Sequence, residues 1–476
     1  MSTGTGDGGD LTRHRWLLLA VACVGSFMGP VDITGVAVAL PAMGRSLRLS
    51  FSEGLWVSAA YLLTYTLALV PMGRVADQWG RLRLWRVGVG LFAAMSLCIV
   101  VSPDPAVLLI LRGVQGVGAA LLASTATALV SAAFPIGERG RAIGLNVTAI
   151  YLGLAVGPLI GGFLVSALGW RWVFLVNIPV ALAALLVSRR LHEPRPMHGR
   201  PQVDIPGTIT LGVGLAAGLV PMTFGPLWGW TAPGTLALIG LAAAALTAFV
   251  VIQRRSAQPL LDPRVFRGNR LFTAASAAAL LNYTAMFGGI ALTAVLLEVV
   301  GGHSALRAGL LLIVQPAFMV ALSPVAGHLS DRIGSRLLAT GGMVLIAVGL
   351  SGLATIPRDL PTPHLLVSLA LVGIGMAGFS SPNTSAAMGS VPPQIFGVAA
   401  AVLATMRSLG QSLSVAALGA IAASGLGARG GRVILGGRAR AGDAIAYLDG
   451  YHTAMAVGAV VALVGAAISL VRGRPD

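Results

Sequence analysis

Charge is what this chain has least of. Asp, Glu, Lys and Arg together make up 10% of its 476 residues, against about 25% in a soluble domain. So few charges cannot cover a globular surface in water, so lipid must be the solvent for most of the chain. Lysine is absent, and all 32 basic residues are Arg; we read this as compositional bias. There are two cysteines, Cys23 and Cys98, both inside apolar runs. That excludes a disulfide framework and a cysteine metal cluster, and leaves them as small packing residues. The histidines (His14, His192, His198, His303, His328, His364 and His452) all fall at the ends of apolar runs or in loops. Paired intramembrane acids, a Ser/His/Asp set, zinc-type spacing and a nucleotide-binding loop are all missing. The expectation is therefore no enzyme, no metal and no cofactor. Lacking an ATP-binding domain, any uphill work has to draw on an ion gradient. A net charge of +16 does not imply nucleic acid, because no basic patch comes with an aromatic reading surface.

What is abundant is apolar surface. Hydrophobic residues are 56% of the chain, the mean hydropathy is +0.86, and the 63 glycines suit closely packed membrane helices. A span needs about 20 mainly apolar residues. Such runs occur at about 16–41, 54–73, 84–102, 106–130, 142–167, 172–188, 207–225, 234–252, 271–297, 306–327, 337–356, 364–387, 396–424 and 453–471. The first is too long for a signal peptide and lacks a small-residue cleavage site, so it is expected to stay.

Arginine sets the expected orientation. With the N-terminus inside, the inner loops hold Arg74 to Arg86, Arg139 and Arg141, Arg189 to Arg200, Arg254 to Arg270, Arg332 and Arg336. The outer loops then hold only Arg45, Arg48, Arg171, Arg307 and Arg358, apart from a Gly-rich loop at 425–451 that carries Arg429, Arg432, Arg438 and Arg440. This is the positive-inside pattern, with both termini cytoplasmic. All eight tryptophans (Trp16, Trp56, Trp79, Trp85, Trp170, Trp172, Trp228 and Trp230) fall near span ends, where amphipathic rings settle at a membrane interface.

The chain repeats itself. Gly73, Asp77 and Gly80 in 71–83 recur as Gly327, Asp331 and Gly334 in 325–336, 254 residues apart (331 − 77). Each copy follows the second span of a run of six, and duplicated six-helix halves are a transporter architecture. The offset exceeds half the chain, so the runs 207–225 and 234–252 read as an inserted hairpin. The expected organisation is all-α and 6 + 2 + 6. It comprises a tail at 1–15, a first bundle at 16–191, a linker with two spans at 192–269, a second bundle at 270–472 and a short tail at 473–476.

The repeated segment resembles the cytoplasmic loop signature of the major facilitator superfamily. The whole set, over roughly residues 15–420, resembles that superfamily's 14-span drug/proton antiporter branch. Residues 32–41, with Asp32, Thr34 and Pro41, resemble the branch's opening motif. Residues 112–120, with Arg112, Gln115, Gly116 and Gly118, resemble its arginine motif. Gly153, Gly157, Pro158, Gly161 and Gly162 resemble its antiporter motif, and residues 170–179 match the segment leading into the sixth span. The resemblance implies a major facilitator fold in the cell membrane. It also implies proton-coupled export of small amphipathic molecules such as drugs, antibiotics or secondary metabolites. A lipid or glycolipid exporter of the same superfamily is the alternative. The partners would be the substrate, protons and surrounding lipid, with the chain as a monomer. The sequence departs from the family pattern at Ala37, Ser124 and Glu298, where asparagine, proline and glutamine are common.

Asp32 lies inside an apolar span, where a charge costs about 2.5–3.5 kcal/mol. Burial favours the neutral carboxyl and a nearby arginine favours the charged one, a balance suited to taking and giving a proton. At about 1.5 Å per residue, Asp32 and Arg112 both lie roughly 10–14 Å below the outer surface. The same two residues would equally serve as a fixed ion pair. Which cation Asp32 would bind, proton or sodium, stays open. Asp32 is the one acid deep in any span, which argues against a dicationic substrate. The cavity between the halves is expected to be lined by Tyr61, Tyr65, Gln115, Asn282, Tyr283, Phe287, Gln315, Phe318, Asn383, Met406, Arg407 and Gln411. The resemblance makes Gly73, Asp77, Gly80, Arg81 and Arg83 a gate, weaker in the second copy, where Ser335 stands in place of the arginine. In that role Asp77 would cap a helix N-terminus of the other half. Asp77→Ala is then expected to slow turnover more than it weakens ligand binding; unchanged turnover would remove the gate.

Overall fold

The computed structural model describes residues 14–191, 204–256, 259–260, 266, 268–392, 396–426, 430–431, 434–435 and 440–471, with the side chains of 77, 136, 137, 139, 140, 226, 227, 331, 396 and 397 outside that description. Among the described residues, fourteen helical spans are long and apolar enough to cross a membrane. They are α1 Arg15–Leu47, α2 Phe51–Ala76, α3 Arg81–Val100, α4 Pro105–Ala133, α5 Arg141–Ala167, α6 Arg171–Ser188, α7 Ile205–Gly225, α8 Pro233–Arg255, α9 Arg270–Val300, α10 Ala305–Ser330, α11 Ser335–Ala354, α12 Thr362–Gly389, α13 Val398–Ser424 and α14 Ala441–Val471. With an even number of spans, the start of α1 and the end of α14 share one face, called here the terminal face; the other is the distal face.

Local chemistry starts these helices. Ser50 and Glu53 form a reciprocal capping box at α2, which satisfies two otherwise orphaned N–H groups. Asp104 caps α4 ahead of Pro105, where a missing N–H costs nothing. Asp204 and Ser304 cap α7 and α10. The repeat seen in the sequence recurs in the backbone. Gly80 (φ +101°) turns α2 into α3, and Gly334 (φ +88°) turns α10 into α11. Both occupy a region that L side chains avoid.

The helices pair the same way twice. In the first six, α1 packs on α5, α2 on α4, and α3 on α4 and α6; in the last six, α9 packs on α13, α10 on α12, and α11 on α12 and α14. Helices α7 and α8 pair with each other, and α7 lies against both α2 and α13. This hairpin therefore covers one of the two seams between the halves, with Leu219 packed against Leu63 of α2 and Ala416 of α13.

Two expectations change. The last helix begins at Ala441, so the expected loop at 425–451 is shorter and its final part is helical. Asp443 and Tyr447 lie within that first stretch, and Tyr447 is buried because it packs edge-on against Phe51 at 5.6 Å. The tryptophans also divide. Trp16, Trp79, Trp172, Trp228 and Trp230 are exposed, whereas Trp85 and Trp170 are buried inside the first bundle.

The halves close on each other at the distal face. Gly162 of α5 meets the Ala305 backbone, Gly309 of α10 meets the Pro158 carbonyl, and the Leu306 N–H donates to Ser166 Oγ at 3.0 Å. Across the mouth, Leu435 sits against Gly44 and Gly54, where any β-carbon would clash, and Leu55 sits against Gly419. Closure thus relies on backbones approaching where no side chain intervenes. Gly309→Leu overpacks the α5–α10 seam by about 1–3 kcal/mol, which shifts a two-state equilibrium about 5- to 150-fold. A Leu306→Cys reporter is expected to react correspondingly faster with a water-soluble maleimide in that background; equal rates would show that this contact does not hold the closure.

Candidate functional site

At the centre of the first bundle is a buried ion pair. Asp32 is 1% exposed and Arg112 0%, and Arg112 Nη1 donates to Asp32 Oδ2 at 2.6 Å. Such a charge-assisted bond is about twice as strong as a neutral one. The two come from α1 and α4, which the fold sets side by side.

Three further helices add partners to the network. Arg112 Nε donates to the Val57 carbonyl of α2 at 3.0 Å, and Nη1 also donates to Gln115 Oε1 at 2.5 Å. Asn177 Nδ2 of α6 donates to Asp32 Oδ1 at 3.3 Å. Gln115 Nε2 approaches the same oxygen at 3.5 Å and donates to Ser96 Oγ of α3 at 2.9 Å. The Arg112 guanidinium lies over the Tyr61 ring at 4.5 Å and near Phe174 at 5.6 Å, a cation–π environment. One donor, Arg112 Nη2, is buried without a partner. Asp32 therefore faces neither lipid nor open water in this conformation. Tyr61 covers Arg112 and stacks on Tyr65 at 6.3 Å with an interplanar angle of 6°.

The glycines of α5 have separate jobs. Gly153, Gly157 and Gly161 repeat every four residues and face α1. An added β-carbon would lie 2.7 Å from the Phe27 carbonyl at Gly153, 3.0 Å from the Val31 carbonyl at Gly157 and 2.8 Å from the Gly35 carbonyl at Gly161. Repeats of that spacing lie on one helix face. Pro158 and Gly162 face α10 of the other half instead. The same motif thus fixes α1, the carrier of Asp32, and forms the distal seam.

The expected cavity residues divide three ways. Gln115 belongs to the ion-pair network. Asn383 donates to the Ala275 carbonyl at 2.9 Å within the second bundle, and Asn282 is fully buried with its amide unpartnered. Phe287 and Gln315 are buried, Met406 and Gln411 half-buried, and Phe318 39% exposed. Tyr61, Tyr65, Tyr283 and Arg407 do converge between the halves. Tyr283 of α9 packs on α13 close to Arg407, where a β-carbon at Gly410 would lie 2.9 Å from Tyr283 Cβ, and Tyr151 pairs with Ser380 at 2.9 Å across the two bundles. Sequence reasoning assigned no role to Ser96, Tyr151, Asn177 or Ser380. The available signals were Asn177 inside a quoted motif and the scarcity of tyrosine, six in all.

At the terminal face, Gly73 lies beside Ser124 of α4, Arg81 donates to the Ala128 carbonyl at 3.2 Å, and Arg83 is exposed. The side chains of Asp77 and Asp331, the expected gate acids, lie outside the described residues. Arg86 bonds Ser188 and the Leu191 carbonyl, tying α3 to the end of α6. A separate cavity of about 300 Å³ lies between α10 and α12, beside Pro324, Gly327 and Pro382, away from the ion pair.

Residues 22–415 match the profile of the Major Facilitator Superfamily. The chain is 33% identical over 419 residues to the multidrug resistance protein Stp of Mycobacterium tuberculosis, covering 88% of this chain and 78% of that one. It is 34% identical over 413 residues to the puromycin resistance protein pur8 of Streptomyces alboniger, covering 86% and 82%. In fold it is similar to a bacterial homologue of the human lysosomal transporter Spinster in an inward-facing, unoccupied conformation, with a TM-score of 0.69 and 17% identity over 96% and 97% of the two chains.

Removing one member of a buried pair strands the other charge, at about 3–5 kcal/mol. Arg112→Gln is expected to lower thermal stability in detergent by an amount of that order. Adding Asp32→Asn to it should restore most of the loss. A double variant no more stable than Arg112→Gln alone would show that the two charges do not hold each other.

Proposed function

Because the chain belongs to the Major Facilitator Superfamily, whose members are transporters and not enzymes, we propose that it is a proton-coupled antiporter exporting small amphipathic molecules by alternating access. We place it in the 14-span drug/proton branch and in the plasma membrane, with both termini cytoplasmic. The observation that carries the reading is Asp32, the only acid deep in a span, held by Arg112 in a site from which water is excluded. Resistance proteins among its relatives support the substrate class, as does the aromatic, nearly acid-free space between the halves.

The arginine bias puts the terminal face in the cytoplasm, so the closed distal seam makes this the conformation shut towards the outside. Here Asp32 is paired with Arg112. A proton arriving at Asp32 cancels its charge and leaves Arg112 buried alone, a state costly enough that the bundle must rearrange to hydrate it. Tyr61 links this event to the cargo. Its ring covers Arg112 on one side and stacks on Tyr65, which borders the central space, on the other. Cargo pressing on Tyr65 thereby moves the cover of the ion pair. One proton crossing 100 mV supplies about 2.3 kcal/mol, enough for roughly a 50-fold gradient of an uncharged cargo in one-to-one exchange.

In proteoliposomes with an imposed pH gradient, Asp32→Asn, though less stable because Arg112 is stranded, is expected to lose uphill efflux while still exchanging cargo down its gradient. Full uphill transport by that variant would overturn the coupling.

A further inference from the structure

We propose that Arg407 is an anion receptor at the centre of the transport chamber, and that the preferred cargo carries a carboxylate or similar acidic group on an aromatic body. The proposal rests on the exporter reading for the chamber's use, and on geometry for its chemistry.

Five groups from five helices meet at one depth. Tyr65 stands 11 residues before Ala76, Tyr151 stands 10 after Arg141, and Tyr283 stands 13 after Arg270; Ser380 stands 9 before Gly389, and Arg407 stands 9 after Val398. At about 1.5 Å per residue, each is roughly 14–20 Å from the terminal-face end of its helix, near the middle of a bilayer core about 30 Å thick. Two of these helices belong to the first half and three to the second. Contacts join them: Tyr151 pairs with Ser380 across the halves, and Tyr283 lies against α13 at Gly410, three residues from Arg407. Four of the six tyrosines in the chain, Tyr61 included, gather here.

The charge balance of this ring is one-sided. Among the described residues no carboxylate pairs with Arg407. The one deep acid, Asp32, is sealed behind Tyr61 and bound to Arg112. Of the other acids, Asp449 lies eight residues into α14 and is exposed, and the rest sit at span ends, in loops or in the tails. A guanidinium at mid-depth is expensive and is seldom left without a purpose. Here it is half-buried, on a helix packed against α9 beside Tyr283, with no carboxylate among the described residues to neutralise it. A planar guanidinium offers a two-pronged match to a carboxylate, and tyrosine rings offer faces for an aromatic body. A cationic cargo would meet the same field as repulsion.

The test uses the full-length protein in detergent and three matched probes: 2-naphthoate, 2-naphthamide and 2-naphthylmethylammonium. Wild type is expected to bind the naphthoate about tenfold or more tighter than the amide, and the ammonium most weakly. Arg407→Gln should erase the preference for the anion while leaving amide binding within about twofold, and Arg407→Lys should keep part of it. Equal affinities in wild type, no naphthoate binding, or an intact anion preference in Arg407→Gln would each overturn the proposal. The same probes in proteoliposomes with a pH gradient separate it from the exporter reading. An Arg407-dependent preference in binding without gradient-driven movement would leave the receptor standing and remove the coupled export.

Discussion

Two opposite charges that lipid and protein both disfavour are stable here only because they meet. The Asp32–Arg112 contact answers much of the cost of burying either one, and the rest of the first bundle is arranged to complete it. Helices α2 and α6 contribute a carbonyl and an amide to these two groups, and α3 holds Gln115, a partner of Arg112, through Ser96. The pair is thus a shared anchor for five helices. Anything that changes its charge changes the fit of the whole bundle, which is the property a coupling site needs. A static brace would ask for the same contact. The unpartnered Nη2 of Arg112 leaves the network incomplete, and the Tyr61 ring covers the guanidinium.

The glycines transmit that sensitivity. Three of them press α5 against α1, and Pro158 and Gly162 press α5 against α10. Helix α5 thus links the helix that carries Asp32 to the α5–α10 seam, where the two halves meet at the distal face. On the opposite seam the inserted hairpin lies across α2 and α13. The two seams are therefore unequal: one is braced by two extra helices, and the other is free of them among the described residues.

The proposed chamber between the halves combines, among the described residues, tyrosine and serine hydroxyls with Arg407. Its electrostatic character follows from subtraction. Arg112 consumes the only deep acid, and the remaining arginine is left to set the field.

Much of this was legible in the chain itself. Low charge and fourteen apolar runs determine a polytopic helical protein, because twenty apolar residues in a row have no other stable home. The Gly–Asp–Gly repeat determines two halves, and its glycines reappear as matched positive-φ turns at Gly80 and Gly334. Deep charges stand out for the same energetic reason, so Asp32, Arg112 and Arg407 could be picked out unaided. Their partners could not. Ser96, Asn177, Tyr151 and Ser380 are ordinary polar residues, cheap to bury when hydrogen-bonded, and nothing in their spacing says which helices will stand together. Gln115 and Asn383 look alike as sequence, yet one serves the ion pair and the other braces the second bundle. Composition and periodicity record how each residue meets lipid or water. Only the tertiary packing of separate helices decides which polar groups meet each other.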